Sequence, residues 1–184
     1  MAIFLLSGAP QSTVDFSKIE TVSALHVEEV TASYSVSLTG YNAVPEQTDS
    51  DPFTTASGAY SNPDMIVARS VDLKEELPFG TVVQFVIDEN ASKGNCGLSM
   101  VEHLVGYRVV ADSMHPRKVQ QMDILFDKND TVQVGKKDVN PAVVLGVCKN
   151  IKMRVVGKID IKDIPTTQTE LIVMVNAASF AINK

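Results

Sequence analysis

Three aspartates border two apolar runs between residues 110 and 127, where a sequence that only builds a core would avoid them. Asp112 directly follows the first run, whereas Asp123 lies within the second run and Asp127 ends it. In a β-strand, side chains alternate between two faces, so Asp123, Leu125 and Asp127 would share one face. Burial raises the pKa of a carboxyl group, and a neighbouring carboxylate raises it further. The pattern therefore predicts an acid that keeps its proton near neutral pH.

These residues also have ordinary structural interpretations. Asp112 could cap a turn, Asp127 could cap the segment that follows it, and Ser57-Gly58 could simply form a tight turn. His115 could assist an acid or ligate a metal with Asp112 and Asp123, but we favour a surface histidine paired with an aspartate. We therefore expect neither a metal site nor a cofactor.

Alternation rather than helical spacing dominates the chain and predicts a mainly β protein. Runs rich in β-branched residues and bounded by Gly, Pro, Asn or Asp are typical of strands. Such runs occur at Val27–Leu38, Thr81–Ile87, Tyr107–Ala111, Met122–Phe126, Ala142–Val147, Ile151–Val156 and Glu170–Val175. Helical patterns are few, at Ser70–Leu77 and Gly97–Val105. Many short strands with few helices predict a barrel or a sandwich.

Two segments fall outside this alternating pattern. The polar connection of residues 42–64 has no periodicity, but its Phe53 and Tyr60 favour a functional loop over a linker. The apolar run Ile3–Leu6 is followed by small residues, as in a signal peptide, but it lacks a positively charged start. We expect it to be a docked strand or arm, with a remnant export signal as the alternative.

Composition restricts the classes of protein to consider. A chain of 184 residues with 45% hydrophobic content can bury the core of one domain. Its formal charge of −6 gives no electrostatic reason to expect nucleic acid as a partner. No window approaches the roughly 18 consecutive apolar residues of a membrane span. Cys96 and Cys148 could form one disulfide or remain two buried thiols, and the sequence leaves both open.

Five short motifs follow one another in an order that resembles a known family. They are Thr39-Gly40-Tyr41-Asn42, Thr55-Ala56-Ser57-Gly58, Leu77-Pro78-Phe79-Gly80-Thr81, Val110-Ala111-Asp112 with Asp123-Ile124-Leu125-Phe126-Asp127, and Gly135-Lys136-Lys137. In this order the chain resembles the three-aspartate (3D) domain family over roughly residues 34–157. The resemblance implies a six-stranded double-psi β-barrel, similar to membrane-bound lytic transglycosylase A and rare lipoprotein A. We expect an arm at 1–33, the barrel at 34–160 and a C-terminal connection with an extended strand at 161–184.

The resemblance also implies action on the glycan strands of peptidoglycan, outside the cell or in its envelope. In a lytic transglycosylase, one acid protonates the oxygen between N-acetylmuramic acid and N-acetylglucosamine. As a base, it then helps the muramoyl C6 hydroxyl to close an anhydro ring. Because the nucleophile is the substrate's own hydroxyl, no second carboxylate has to activate water.

The motif match implies a role for each candidate residue. Asp112 takes the place of the catalytic acid, and Asp123 is the neighbour that shifts its pKa or orients it. Asp127 matches the third aspartate of the family, whose role we expect to be structural. The candidates for contact with the substrate are Tyr41, Thr55, Ser57, Asp127 and His115.

The chain also departs from the family pattern. Ser113–Pro116 replaces the small residues and glycines that commonly follow the first aspartate, and the connection Glu89–Gly106 is longer than the compact one expected. We expect both changes to narrow or reshape the groove that binds the substrate. The alternative function is a glycan-binding module or a non-catalytic assembly protein of a phage or surface particle. In the assembly case, we expect a homo-oligomer formed through terminal strands such as Leu171–Val175.

Overall fold

The computed structural model describes residues 25–26, 32–48, 51–86 and 96–182. The predicted arm at Ile3–Leu6 lies outside the described residues. The first five residues of the predicted strand Val27–Leu38, residues 27–31, also lie outside them. The first part of the connection Glu89–Gly106 is also outside them. The predicted arm and domain boundaries therefore stay predictions.

Six strands close into a mixed β-barrel. In chain order the described strands are β1 (Leu25–His26), β2 (Ser33–Asn42), β3 (Ile66–Arg69), β4 (Thr81–Val86), β5 (Tyr107–Ser113), β6 (Gln121–Phe126), β7 (Val132–Val134), β8 (Lys137–Val139) and β9 (Cys148–Ile159). The barrel order is β9-β2-β6-β3-β5-β4, and pairing of β4 with β9 closes it. The β2–β6 and β3–β5 pairs are parallel, whereas the other barrel pairs are antiparallel. The prediction of a mainly β, six-stranded barrel is confirmed, and the closed mixed topology is compatible with a double-psi barrel.

Both faces of the central strands are buried. Val67 and Val110 belong to one apolar cluster, while their chain neighbours Ile66 and Val109 belong to a second. Because successive side chains of a strand point to opposite faces, the two clusters cover the two faces of the same strands. This double burial explains why β3 and β5 are nearly continuous apolar runs. A charged residue that ends such a run has apolar neighbours.

Two short helices follow from local signals. Helix α1 (Leu98–Val105) confirms the prediction of a helix at Gly97–Val105. The prediction of a strand at Ala142–Val147 was wrong, because helix α2 (Pro141–Leu145) forms there. The Asn140 side chain accepts a hydrogen bond from the Ala142 backbone N–H, and proline occupies the first helical position. Both features favour a helix start over a strand.

The predicted C-terminal strand at Glu170–Val175 was also wrong, because helix α3 (Gln168–Ile182) occupies this stretch. Thr167 and Glu170 form a capping box: Thr167 Oγ1 accepts from the Glu170 N–H at 3.3 Å, and Glu170 Oε2 accepts from the Thr167 N–H at 3.1 Å. This reciprocal pair satisfies free amide groups at the helix start. The buried side chains of Leu171 and Val175 then join the second apolar cluster. This segment is therefore a helix rather than a strand, and formation of a homo-oligomer stays a prediction.

Two further predictions have clear outcomes. The segment Ser70–Leu77 forms only one 3-10 turn, at Val71–Leu73, followed by turns. Cys96 and Cys148 form a disulfide, with their Cα atoms 4.6 Å apart. The bridge connects a residue two positions before α1 to the first residue of β9.

Candidate functional site

Asp112 and Asp123 lie on opposite sides of one small residue, Ala68. In the barrel, β3 lies between β5 and β6, and Ala68 pairs with Asp112 on one side and with Asp123 on the other. Paired residues on neighbouring strands project from the same face, and two strand spacings separate the aspartate Cα atoms by about 10 Å. Ala68, the residue between them, carries only a methyl group as its side chain.

A β-bulge places Asp112 on this face. The β3–β5 register runs from Val67↔Val110 to Ala68↔Asp112, so Ala111 has no partner of its own in this register. In a regular strand, Asp112 would project from the same face as Val110. The extra residue reverses the alternation, as bulges near active sites often do. Asp112 therefore projects from the same face as Asp123.

The Asp112 carboxylate accepts three hydrogen bonds. The backbone N–H groups of Ala56 and Ser113 donate to Oδ1 at 3.0 and 2.8 Å. The Tyr41 hydroxyl donates to Oδ2 at 2.8 Å. Burial, and next the adjacent Asp112 charge, raise the pKa of the Tyr41 phenol well above its usual value, so it remains a protonated donor. Three donors hold the carboxylate of Asp112 in the acceptor role.

Asp123 is held in a different environment. The Thr39 hydroxyl donates to its Oδ1 at 2.8 Å, and the Gln121 side-chain amide donates to the Thr39 hydroxyl at 2.8 Å. Burial raises the pKa of Asp123 from 3.8 to about 6, against the opposing effects of the Thr39 hydrogen bond and the Lys118 charge. The neighbouring charge of Asp112 is a smaller cause of the same increase. Asp123 therefore exchanges its proton close to neutral pH.

A small hairpin brings the predicted loop residues to the acid pair. Thr54 pairs with Tyr60 across this hairpin, and the Ser57 N–H donates to the Ala111 carbonyl at 3.1 Å. The Thr55 and Ser57 hydroxyls are hydrogen-bonded to each other at 3.0 Å. The structure therefore brings Tyr41, Thr55 and Ser57 to the vicinity of Asp112.

The other two sequence candidates make hydrogen bonds elsewhere. Asp127 Oδ1 accepts from the backbone N–H and the side-chain amide of Asn129, at 2.8 and 3.0 Å, and so caps the turn after β6. His115 is exposed, and its Nδ1 accepts from the Arg117 backbone N–H at 3.2 Å. The contact of His115 is thus with an arginine rather than with an aspartate.

Sequence reasoning gave no role to three residues that shape the site. These are Thr39, which donates its hydroxyl to Asp123, Ala56, which donates its backbone N–H to Asp112, and Ala68, which pairs with both acids. Thr39 and Ala56 stand in motifs that were noted for other residues, so a local signal existed. Ala68 carries no local signal, because its importance depends on pairing with two distant strands.

A buried arginine anchors the elements around the site. Arg108 is only 1% exposed, and its guanidinium donates to the carbonyls of Leu104, Val105, Pro63 and Leu125. Burial lowers its pKa to about 10. Since these carbonyls include the C-terminal end of α1 and a residue of β6, Arg108 connects the helix to the barrel.

The larger of two notable cavities does not contain this pair of acids. Its volume is about 380 Å³, and it lies beside β4, α1 and α3, where Glu102 and Arg154 contribute to its lining. It borders Val86, the last described residue before a gap in the described chain. We assign no function to it.

The described residues contain neither a metal-binding cluster nor a membrane-spanning helix. Within these residues, no group of three or more His, Cys, Asp or Glu side chains is placed to hold a metal ion. None of the helices in the described part of the chain has the length and apolar character needed to cross a membrane. Comparison with known protein families finds no matching model, and comparison with curated proteins finds no matching relative.

Proposed function

We propose that this protein cleaves peptidoglycan glycan strands by lytic transglycosylation. The observation that carries the proposal is the pair of aspartates facing each other over Ala68, with a pKa of about 6 for Asp123. Such an acid holds its proton in mildly acidic solution and gives it up near neutrality. A reaction that needs an acid first and a base second requires this property.

In the proposed reaction, Asp123 donates its proton to the bridging oxygen between the two sugars. The bond between the muramoyl C1 atom and this oxygen breaks, and the leaving sugar keeps the bonding electron pair and the proton. The Asp123 carboxylate next accepts the proton of the muramoyl C6 hydroxyl, whose oxygen bonds to C1. No water is consumed, and Asp123 ends protonated as it began.

Asp112 acts in this proposal as a fixed negative charge. It raises the pKa of Asp123 and stabilises positive charge that develops on the sugar ring as the bond breaks. The donors from Tyr41, Ala56 and Ser113 keep it oriented. This assignment reverses the one implied by the family resemblance, in which Asp112 was the acid. Asp123 is favoured because its surroundings raise its pKa.

We also propose that the chain is a relative of the three-aspartate (3D) domain and of membrane-bound lytic transglycosylase A. The order of the five motifs and the closed six-stranded mixed barrel support this relationship. The disulfide between Cys96 and Cys148 supports an oxidising location, such as the cell envelope or the extracellular space.

Assembly without catalysis is the second candidate function. Helix α3 favours it, because Ile172 and Val173 are 41% and 53% exposed on a helix that is apolar nearly all round. If assembly is the function, the purified chain forms an oligomer by light scattering, and Ile172→Lys with Val173→Lys makes it monomeric.

Digestion of purified peptidoglycan tests the enzymatic proposal. We expect the wild-type chain to release anhydromuropeptides, identified by mass spectrometry, and Asp123→Asn to release none. Asp138→Asn is the matched control, because Asp138 is an exposed aspartate on β8, which pairs with β7 outside the barrel sheet. Absence of anhydro products from the wild-type chain would reject the enzyme and favour assembly or simple binding.

A further inference from the structure

A second cavity lies beyond the acid pair on the same face of the barrel. Its volume is about 160 Å³, and it is lined by Ala43, Phe53, Tyr60, Ser61, Pro63 and residues 125–129. Enclosed pockets for small ligands usually measure about 300–1,000 Å³, so this cavity holds one ring of a longer chain rather than a whole ligand.

Strand geometry connects this cavity to the acids. In the parallel β2–β6 pair, Thr39 is in register with Asp123 and Tyr41 with Leu125. Leu125 therefore lies on the same face of β6 as Asp123, and Asp127 begins the turn that follows the last strand residue, Phe126. Leu125 and Asp127 both line the cavity. One continuous face therefore leads from the acid pair into the cavity.

Two aromatic side chains border the cavity. Phe53 and Tyr60 are 62% and 68% exposed, and they are the most exposed aromatic residues in the described part of the chain. Solvent-exposed rings on a short hairpin add little to the core, but they offer flat apolar surfaces to the C–H face of a sugar ring. The same hairpin donates the Ala56 N–H to Asp112 at 3.0 Å, so it contacts both the cavity and the acid pair.

The polar rim of the cavity suits sugar hydroxyl and acetamido groups. Asp127 Oδ1 holds the Asn129 side-chain amide at 3.0 Å, so both planar groups are oriented before a ligand arrives. Lys128 adds three donors on a flexible stem. Flat apolar surfaces beside oriented polar groups are a combination that fits a pyranose better than a purely apolar ligand.

We propose that Phe53, Tyr60 and the Asp127–Asn129 turn form a separate sugar-binding subsite for an N-acetylated hexose of a β-linked glycan. This subsite would hold a ring away from the bond that is cleaved, and it rests on the proposed function for the identity of the glycan. It gives the enzyme a preference for chains over single disaccharides.

Fluorescence tests the subsite without interference from turnover. The chain has no tryptophan, so Tyr60→Trp in the Asp123→Asn background provides a single reporter. We expect the β-1,4-linked tetramer of N-acetylglucosamine to shift the wavelength and change the intensity of the tryptophan emission, and the change should saturate as the tetramer concentration rises. Val143→Trp, at a site that is 70% exposed on α2, should give no change. An unchanged emission from Tyr60→Trp at saturating tetramer would overturn the subsite.

Calorimetry with the paired change Phe53→Ala and Tyr60→Ala gives an independent result. We expect tetramer binding about tenfold weaker than in the Asp123→Asn background alone, with Val143→Ala as the control. Since both aromatic side chains are mostly exposed, the paired variant should fold normally. Unchanged affinity would reject the subsite, while anhydro products from the wild type would still support the enzyme. Tetramer binding through Tyr60 without any anhydro product would support the subsite and reject the enzyme.

Discussion

Asp112 and Asp123 carry the same side chain in two different environments. Asp112 accepts hydrogen bonds from two backbone N–H groups and a phenol hydroxyl. Asp123 is largely buried and accepts a hydrogen bond from a threonine hydroxyl. These surroundings raise the pKa of Asp123, mainly because its carboxyl group is buried. The difference can be measured by changing one residue at a time.

Burial of Asp123 should make stability depend on pH. Its folded-state pKa is about 6 against an ordinary value of 3.8, so its contribution to stability is fully present below about pH 4 and lost as pH rises through 6. This shift corresponds to at most about 3 kcal/mol. Urea unfolding should therefore show Asp123→Asn gaining stability relative to the wild type between pH 4 and pH 7. An equal difference at both pH values would contradict the raised pKa.

The phenol of Tyr41 should stabilise the Asp112 carboxylate. Tyr41→Phe removes the 2.8 Å hydrogen bond to Oδ2, and we expect unfolding free energy to fall by about 1.5–3 kcal/mol. Tyr34→Phe, on the same strand, serves as the matched control. Equal urea midpoints for Tyr41→Phe and the wild type would show that this hydrogen bond contributes nothing to stability.

At the scale of elements, the strands were largely predictable, whereas α1 was the one α-helix of the described residues that was predicted. Alternation is a local property, so runs such as Thr81–Ile87 could be assigned without knowing their partners. The apolar run Glu170–Val175 satisfies a strand and a helix equally, and only the capping pair of Thr167 with Glu170 distinguishes them. That signal is present in the sequence and was overlooked.

Part of the candidate site could be grouped from the sequence, whereas its geometry could not. The motifs grouped Tyr41, Ser57 and Asp112, and the structure places these three residues close together. The bulge at Ala111 could not be predicted, because it depends on the register between β3 and β5. The raised pKa of Asp123 also depends on burial by residues distant in the chain.

Barrel closure should depend on Gly80, which directly precedes β4. Gly80 has a φ of +91°, and a Cβ there would lie 2.1 Å from the Ile159 carbonyl oxygen on β9. Gly58, with a φ of +85°, has nothing within 4 Å of such a Cβ. We therefore expect Gly80→Ala to lose more than about 3 kcal/mol of unfolding free energy and Gly58→Ala about 1–2 kcal/mol. If urea unfolding shows similar losses of unfolding free energy for Gly80→Ala and Gly58→Ala, close approach of β4 to β9 at Gly80 is not required.

At the scale of the whole molecule, the disulfide ties distant parts of the chain together. Cys96 and Cys148 are 52 residues apart, and closing a loop of this length contributes about 4 kcal/mol in the chain-entropy model. Thermal unfolding of Cys96→Ala with Cys148→Ala should show this loss, and a reductant should lower the wild type to the same level. Equal melting temperatures for the oxidised wild type and the variant would contradict a stabilising disulfide.

The proposed function of the whole molecule is a glycan-cleaving reaction in which Asp123 is the acid and Asp112 is a fixed charge. The most direct measurement is the pH dependence of anhydromuropeptide release by the wild type and by Asp112→Asn. We predict that wild-type release falls as pH rises above about 6, and that the fall begins at lower pH in Asp112→Asn because the neighbouring charge is gone. Release that is independent of pH in this range, or that has the same pH midpoint in both proteins, would contradict the account.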